Sequence, residues 1–191
     1  PMSVVAERPA PITKMFFIWR IYLQAPTTKR QMKTIFERFR KHYFRAMKTD
    51  HFQKLERMYL ATKVNTEIFD TITAKIGEGE VEIGLTISDK YFHALDAIHG
   101  TVYFKLLDDA AFFAANSVVE DVFVLTSLFN LNLIRPASKG KLKSIGKLRS
   151  QSKNVLIAEA TIYNEEGKEI AFGTGTFMRS KVALTPEIGY R

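Results

Sequence analysis

Asp96-Ala-Ile-His-Gly-Thr-Val-Tyr-Phe-Lys-Leu-Leu-Asp-Asp-Ala-Ala-Phe-Phe-Ala-Ala-Asn116 is the stretch on which the rest of this chain is organised. It opens on a His-Gly turn and continues as apolar residues at helical spacing, a pattern that predicts one long helix with a wide buried face. Two adjacent carboxylates, Asp108 and Asp109, interrupt that apolar run. Aspartate is seldom buried without a partner, so an acidic pair among Leu, Ala and Phe calls for a specific role. Neighbours on a helix point about 100° apart, so one of the two occupies the centre of the buried face and the other reaches the rim. Asp109 is expected at that rim or at an interface.

Outward from this helix the pattern has period two. Before it, T-I-T-A-K-I and V-E-I-G-L-T-I flank a turn at Gly77–Gly79, with Val81, Ile83, Leu85 and Ile87 alternating as on a half-buried strand. After it, V-F-V-L-T-S-L-F-N-L-N-L-I runs from Val122 to Ile134 and stops at Arg135-Pro136. K-L-K-S-I-G-K-L-R-S, V-L-I-A-E-A-T-I-Y and E-I-A-F-G-T-G-T-F-M follow, joined by short turns. Strand, strand, long helix and four more strands linked by hairpin-length turns predict an α+β fold, an antiparallel sheet with one helix laid across it.

The 191 residues suffice for one domain and an appendage, and charge separates the two. Residues 1–48 hold 11 of the 28 Lys/Arg but only Glu7 and Glu37 of the 20 acidic residues, a net of +9 that leaves residues 49–191 at −1. The expected division is a basic, amphipathic N-terminal extension over residues 1–48 and a domain over 49–185. Within the extension, residues 1–14 read as a proline-containing lead-in. Residues 15–23 form an apolar run broken by Arg20, about half the ~20 residues of a membrane span. No small-x-small cleavage site follows, so a cytoplasmic location is expected. Residues 27–47 read as a basic amphipathic helix, a solvated arm or a candidate peripheral membrane contact. A second short helix is expected from Asp50, with Asp50 as N-cap and Phe52, Leu55, Met58 and Tyr59 on one face.

The chain has no cysteine, which excludes disulfides, thiol catalysis and Cys-based zinc sites, and its four histidines show no ligand spacing. No metal and no cofactor are expected. Nucleic acid is not an expected partner either, since the basic segment offers no helix-turn-helix pair.

Three motifs, H-G-x-x-x-x-x-L-x-D from His99, L-x-R-P-A-x-x-G from Leu133 and E-G-K-E-I-A-F-G-T-G-T-F from Glu166, fall in an order that resembles the hotdog-fold acyl-CoA thioesterases of the phenylacetate-pathway and 4-hydroxybenzoyl-CoA type. The likeness spans about residues 64–180. It implies a sheet wrapped around the central helix, a homodimer or homotetramer, and hydrolysis of an acyl-CoA to a carboxylic acid and CoA. It also places the catalytic carboxylate on Asp108, the carbonyl-polarising backbone N–H on Gly100 and a water-orienting hydroxyl on Thr126. A loop position that is often Asn in the family is His93 here, and the second Gly of its His-Gly-Gly is Thr101. His93 is either satisfied by backbone or a group that orients substrate or donates a proton. His99, Thr101, Arg135 and Lys153 are candidate substrate contacts. Lys139, Lys141, Lys143, Lys147 and Arg149, with Lys153, read as a solvated sheet edge from which a minority meets the phosphates of CoA.

The chemistry of the residues points the same way. Thioester hydrolysis needs a donor where charge develops on the carbonyl oxygen, which a helix start supplies, and a carboxylate that attacks or takes a proton from water. Gly100 and Asp108 lie eight residues apart, about 12 Å along a helix, too far to serve one carbonyl in one subunit. That distance predicts a site shared across a twofold axis. The alternative is a non-catalytic acyl-CoA-binding or regulatory hotdog module with a membrane- or partner-binding helix. A dehydratase is disfavoured because the central helix carries Asp but no His inside it.

Overall fold

The computed structural model describes residues 29–191. The lead-in and the apolar run of residues 15–23 lie outside the described residues, as do most of the side chains on which the amphipathic reading of residues 27–47 rests. The chain divides into two compact units, Pro1–Met47 and Lys48–Arg191.

Helix α1 spans Lys29–Leu60. The break expected at Asp50 does not occur, because nothing between Lys29 and Leu60 is Gly or Pro. Asp50 is inside the helix, where its carboxylate meets Lys54 one turn on at 2.9 Å instead of capping a new start. The face expected for this segment is the one that packs: Leu55, Met58 and Tyr59 are buried and Phe52 is packed beside them.

A π-helical turn at Val64–Ile68, unforeseen in the sequence, leads from α1 to the sheet. Strands β1 (Thr73–Gly77) and β2 (Glu80–Thr86) form the first hairpin. Helix α2 (Gly100–Asn116) is the predicted central helix, followed by β3 (Val122–Leu133), β4 (Lys141–Gln151), β5 (Val155–Tyr163) and β6 (Glu169–Ala183). The six strands make one sheet in the order β1-β2-β4-β5-β6-β3, with every pair antiparallel. Strand β6 runs five residues beyond the expected end, since Arg179 to Ala183 pair with the start of β3 and Arg179 meets Asp121.

Side-chain alternation fixes which face of the sheet takes the helix. Val81, Ile83 and Leu85 of β2, Leu142 of β4, and Leu156, Ala158, Ala160 and Ile162 of β5 are buried together with Leu106, Leu107 and the Ala110, Ala111, Ala114 and Ala115 positions of α2. Helix and sheet meet through small residues. A methyl group at Gly146 of β4 would lie 2.0 Å from the Ala110 carbonyl oxygen, so only glycine permits this approach. The close seat holds α2 in one place and thereby sets where Asp108 emerges.

Strand β3 lies at the sheet edge, with Leu125, Leu128 and Leu133 exposed. Its pairing with β6 slips between Thr126 and Leu128, a bulge that leaves Ser127 as the extra residue.

Candidate active site

His99, in extended conformation, caps α2: its Nδ1 accepts the Thr101 N–H at 3.2 Å and lies 2.9 Å from the Thr101 hydroxyl. The Gly100 N–H, one of the donors that a helix start leaves unused, has no partner among the described residues. Gly100 faces a cleft of about 250 Å³ together with His93, Tyr103, Leu133, Ile134 and Arg135. The His93 Nδ1 accepts the Leu95 N–H at 3.1 Å, so the neutral ring carries its proton on Nε2. The Tyr103 hydroxyl accepts from Ala137 N–H at 2.9 Å, which fixes the Arg135-Pro136 turn over the helix start.

Two turns along α2, Asp108 opens into a different cavity of about 530 Å³. Its walls are largely apolar: Met58, Val64, Phe112, Phe113, Phe123, Leu125, Val182 and Ile188. The bulged part of β3 brings the Thr126 hydroxyl to 3.0 Å from Asp108 Oδ1, to which it donates. Burial pushes the Asp108 carboxyl above its ordinary range, the Thr126 hydrogen bond opposes this, the neighbouring Asp109 charge adds to it and Lys105 draws it back.

Asp109 is not at a rim. It lines the same cavity, and its Oδ2 accepts both the Tyr59 O–H, at 2.6 Å, and an N–H of Lys105. Asp109 and Lys105 side chains are only 20% and 15% exposed. Lys105 Nζ also sits 5.1 Å from the Tyr59 ring centre and 5.0 Å from that of Phe69, so its charge is held between aromatic faces and a carboxylate. The rim position fails because Asp109 is covered by residues outside α2. The C-terminal turn of α1 and the segment after it cover the side of α2 that carries Asp109.

The sequence-derived residues therefore fall into two groups within one chain. Asp108 and Thr126 share the large cavity, while His93, Gly100 and Arg135 share the small cleft. His99 and Thr101 are exposed and engaged in capping, and Lys153 stands exposed on the β4–β5 turn, lining neither. Of the basic edge, Lys143, Lys147 and Arg149 pair with Glu82, Glu80 and Glu159. Sequence reasoning missed the partners of Asp109. Lys105 stands at i−4 to it, a spacing that signals an ion pair, whereas Tyr59 is 50 residues away and left no local sign.

Residues 95–171 match the family model described as the Thioesterase superfamily. The domain has the hotdog fold, and this stretch of it is similar to the thioesterase superfamily, a family of thioester hydrolases. Among solved structures, this domain is similar to the PaaI protein of the E. coli phenylacetic acid degradation operon, with a TM-score of 0.65 and 21% identity over 72% of this chain and 99% of that one. A putative thioesterase, a phenylacetic acid degradation-related protein of Ralstonia eutropha, is similar at a TM-score of 0.59 and 21% identity, covering 67% and 98%. A thioesterase of Haemophilus influenzae matches at 0.58 and 18%, covering 64% and 85%. No match is found among curated proteins. At these identities the structural likeness speaks for the fold, the antiparallel sheet on its central helix.

Proposed function

We propose that the domain hydrolyses an acyl-CoA to the free carboxylic acid and CoA, in a cytoplasmic homodimer or dimer of dimers, with residues 1–48 as a basic extension outside the catalytic domain. The thioester carbonyl oxygen takes the Gly100 N–H of one subunit, where the helix dipole favours developing negative charge. Asp108 of the other subunit attacks the carbonyl carbon or removes a proton from the attacking water, and the Thr126 hydroxyl holds its carboxylate in position. Water supplies the hydroxyl of the acid and its other proton goes to the CoA thiolate.

The observation that carries this reading is the distribution of groups along α2. The carboxylate with its hydroxyl partner opens into a largely apolar cavity, and the unused N–H lies with His93 and Arg135 in a separate cleft two helical turns away. Each half lacks what the other has, and a twofold axis that sets two α2 helices antiparallel supplies both. The apolar cavity suits the acyl group, with its volume inside the ordinary range of small-molecule pockets. His93, with a donor on Nε2, and Arg135 then stand on the carbonyl side. Lys139, Lys141 and Lys153, which make no carboxylate contact within 4 Å among the described residues, are the candidate contacts for CoA phosphates.

Thiol release from a panel of acyl-CoAs tests this directly. Turnover by the natural chain that is lost in Asp108→Asn supports it, and equal turnover by both proteins overturns it.

A further inference from the structure

The wall of the large cavity is completed by a segment that follows the last strand. After β6, Leu184 N–H bonds Asp121 O at 3.1 Å, Pro186–Ile188 make a single 3-10 turn, and Tyr190 N–H returns to Thr185 O at 3.2 Å. Gly189 has φ +91°, and a Cβ there would lie 3.5 Å from the Met58 backbone. A side chain at this position is strained by φ alone, so glycine lets the segment turn closely over α1. Ile188, 38% exposed, thereby joins Met58, Val64 and Val182 in the cavity lining.

A polar clasp fastens this strap. The Tyr190 hydroxyl lies 2.7 Å from His51 Nδ1, and His51 Nε2 lies 3.2 Å from the Asn116 carbonyl oxygen at the end of α2. A carbonyl only accepts, so Nε2 bears the ring proton and Nδ1 accepts from Tyr190. His51 is 3% exposed, its ring meets the Tyr190 ring edge-on, and Lys54 Nζ stands 5.4 Å from the centre of that ring. Arg57 also donates to the Arg191 carbonyl. None of Met58, Val64, Val182, Ile188, His51 or Tyr190 lies within residues 95–171, the stretch that matches the superfamily. The superfamily stretch provides Asp108, Thr126 and the Phe112 floor, whereas the flanks provide the opposite wall.

We propose that the strap Leu184–Arg191 is a specificity element, in which Ile188 limits the length of the apolar acyl chain the cavity accepts and the Tyr190–His51 clasp keeps Ile188 there. The proposal rests on reading the large cavity as the acyl site. Ile188 is the residue in contact with substrate; Tyr190 and His51 are positioning residues that act through it. Discrimination in an apolar pocket is modest per methylene, about 10- to 200-fold, which sets the scale to look for.

Straight-chain acyl-CoAs of graded length are to be assayed with the full chain and with Ile188→Ala, Ile188→Trp and Tyr190→Phe. Ile188→Ala is expected to raise kcat/KM for long over short chains by about ten-fold, and Ile188→Trp to lower that ratio comparably. Tyr190→Phe removes one oxygen and should loosen the length limit through KM while kcat on short chains stays unchanged. A parallel measurement needs no turnover: displacement of cis-parinaric acid by saturated fatty acids of graded length, where Ile188→Ala should favour longer competitors and Ile188→Trp shorter ones. Unshifted length profiles in both folded Ile188 variants overturn the proposal, as does failure of the full chain to bind parinaric acid. Absence of thioester cleavage alongside shifted competitor lengths would reject the acyl-CoA hydrolysis reading and leave the strap's role standing.

Discussion

Thr126 donates its hydroxyl hydrogen to Asp108 across 3.0 Å, from a bulged edge strand to the middle of the central helix. The bond favours the ionised carboxylate in a setting that otherwise disfavours it, because burial and the Asp109 charge both push the Asp108 carboxyl upward. If Asp108 is the catalytic carboxylate proposed above, function and stability pull in opposite directions at this residue.

Replacing Asp108 by Asn is expected to lower kcat by about 10²- to 10⁴-fold, the usual range for a lost acid–base group. The same change should raise Tm at neutral pH. A carboxyl whose folded pKa lies above its unfolded value binds more protons folded than unfolded, so the folded state loses stability as pH rises through that interval and carries the deficit at pH 7. Thermal melts of the two proteins at pH 4 and pH 7 check the sign: the Asn variant gains at pH 7 and not at pH 4. Thr126→Val should cost less activity, about ten-fold, since it removes only the hydrogen bond that positions the carboxylate.

Asp109→Asn sets two effects against each other. Burial raises the Asp109 carboxyl against the pull of Lys105 and Tyr59, so its charge also weighs on the folded state at pH 7. The variant breaks an ion pair as well, and the broken pair is expected to dominate. It leaves Lys105, held against two rings, without its carboxylate. Because the pair is still 20% and 15% exposed, a cost of about 2 kcal/mol is expected, below the ~3–5 kcal/mol for breaking a fully buried pair. Turnover should survive better than in Asp108→Asn. The acid limb of kcat/KM, set by ionisation of Asp108, should move to lower pH, because the variant removes the Asp109 charge that raises Asp108 while Lys105 still lowers it. Urea unfolding and a pH–rate profile measure the two effects separately.

How far the sequence disclosed this site follows from the range of the interactions. The central helix, the six strands and their succession along the chain were legible because hydrophobic period and turn residues are local, whereas the order of strands within the sheet was not. Asp108 and Thr126 could be named from motifs, yet their contact needed the bulge at Ser127, which alternation in β3 does not announce. Tyr59 and Ile188 reach the cavity from both ends of the domain, and neither period nor motif connects residues so distant in sequence. The uninterrupted α1 was misread for a related reason: an Asp before an apolar run favours a cap, but a chain without Gly or Pro keeps the helix going when the rest of it packs.

His51 gives the domain a second pH dependence. Burial lowers its pKa below the ordinary 6.5, against the opposing pull of Asn116 O, Glu120, Asp50 and Ser117 O, and the Tyr190 hydroxyl faces its other nitrogen. With the folded pKa depressed, the unfolded chain binds more protons below pH 6.5, so stability is fully present above 6.5 and is lost as pH falls toward the folded value. Urea unfolding midpoints measured between about pH 5 and pH 7 should fall on the acid side, and His51→Gln should flatten that slope while lowering stability throughout.

The proposed sharing of one site between two subunits yields the most demanding prediction. Gly100 and Asp108 are too far apart on α2 to meet at one carbonyl, and β3 exposes Leu125, Leu128 and Leu133 along the sheet edge where a second copy could continue it. Gly100→Pro disables one half of the site gently. Gly100 is the first helical residue, where proline is tolerated, and His99 before it already has φ −68° and ψ 149°, the extended conformation that a following proline requires. The variant thus loses the N–H and keeps the helix. Asp108→Asn disables the other half. In a heterodimer of the two, one site carries both lesions and the other carries neither. After mixing and subunit exchange, two inactive proteins should recover about a quarter of natural activity per total site, because half of the dimers are mixed and each has one intact site of two. Recovery absent after exchange has been demonstrated, with both variants folded, would return Gly100 and Asp108 to separate roles within one subunit.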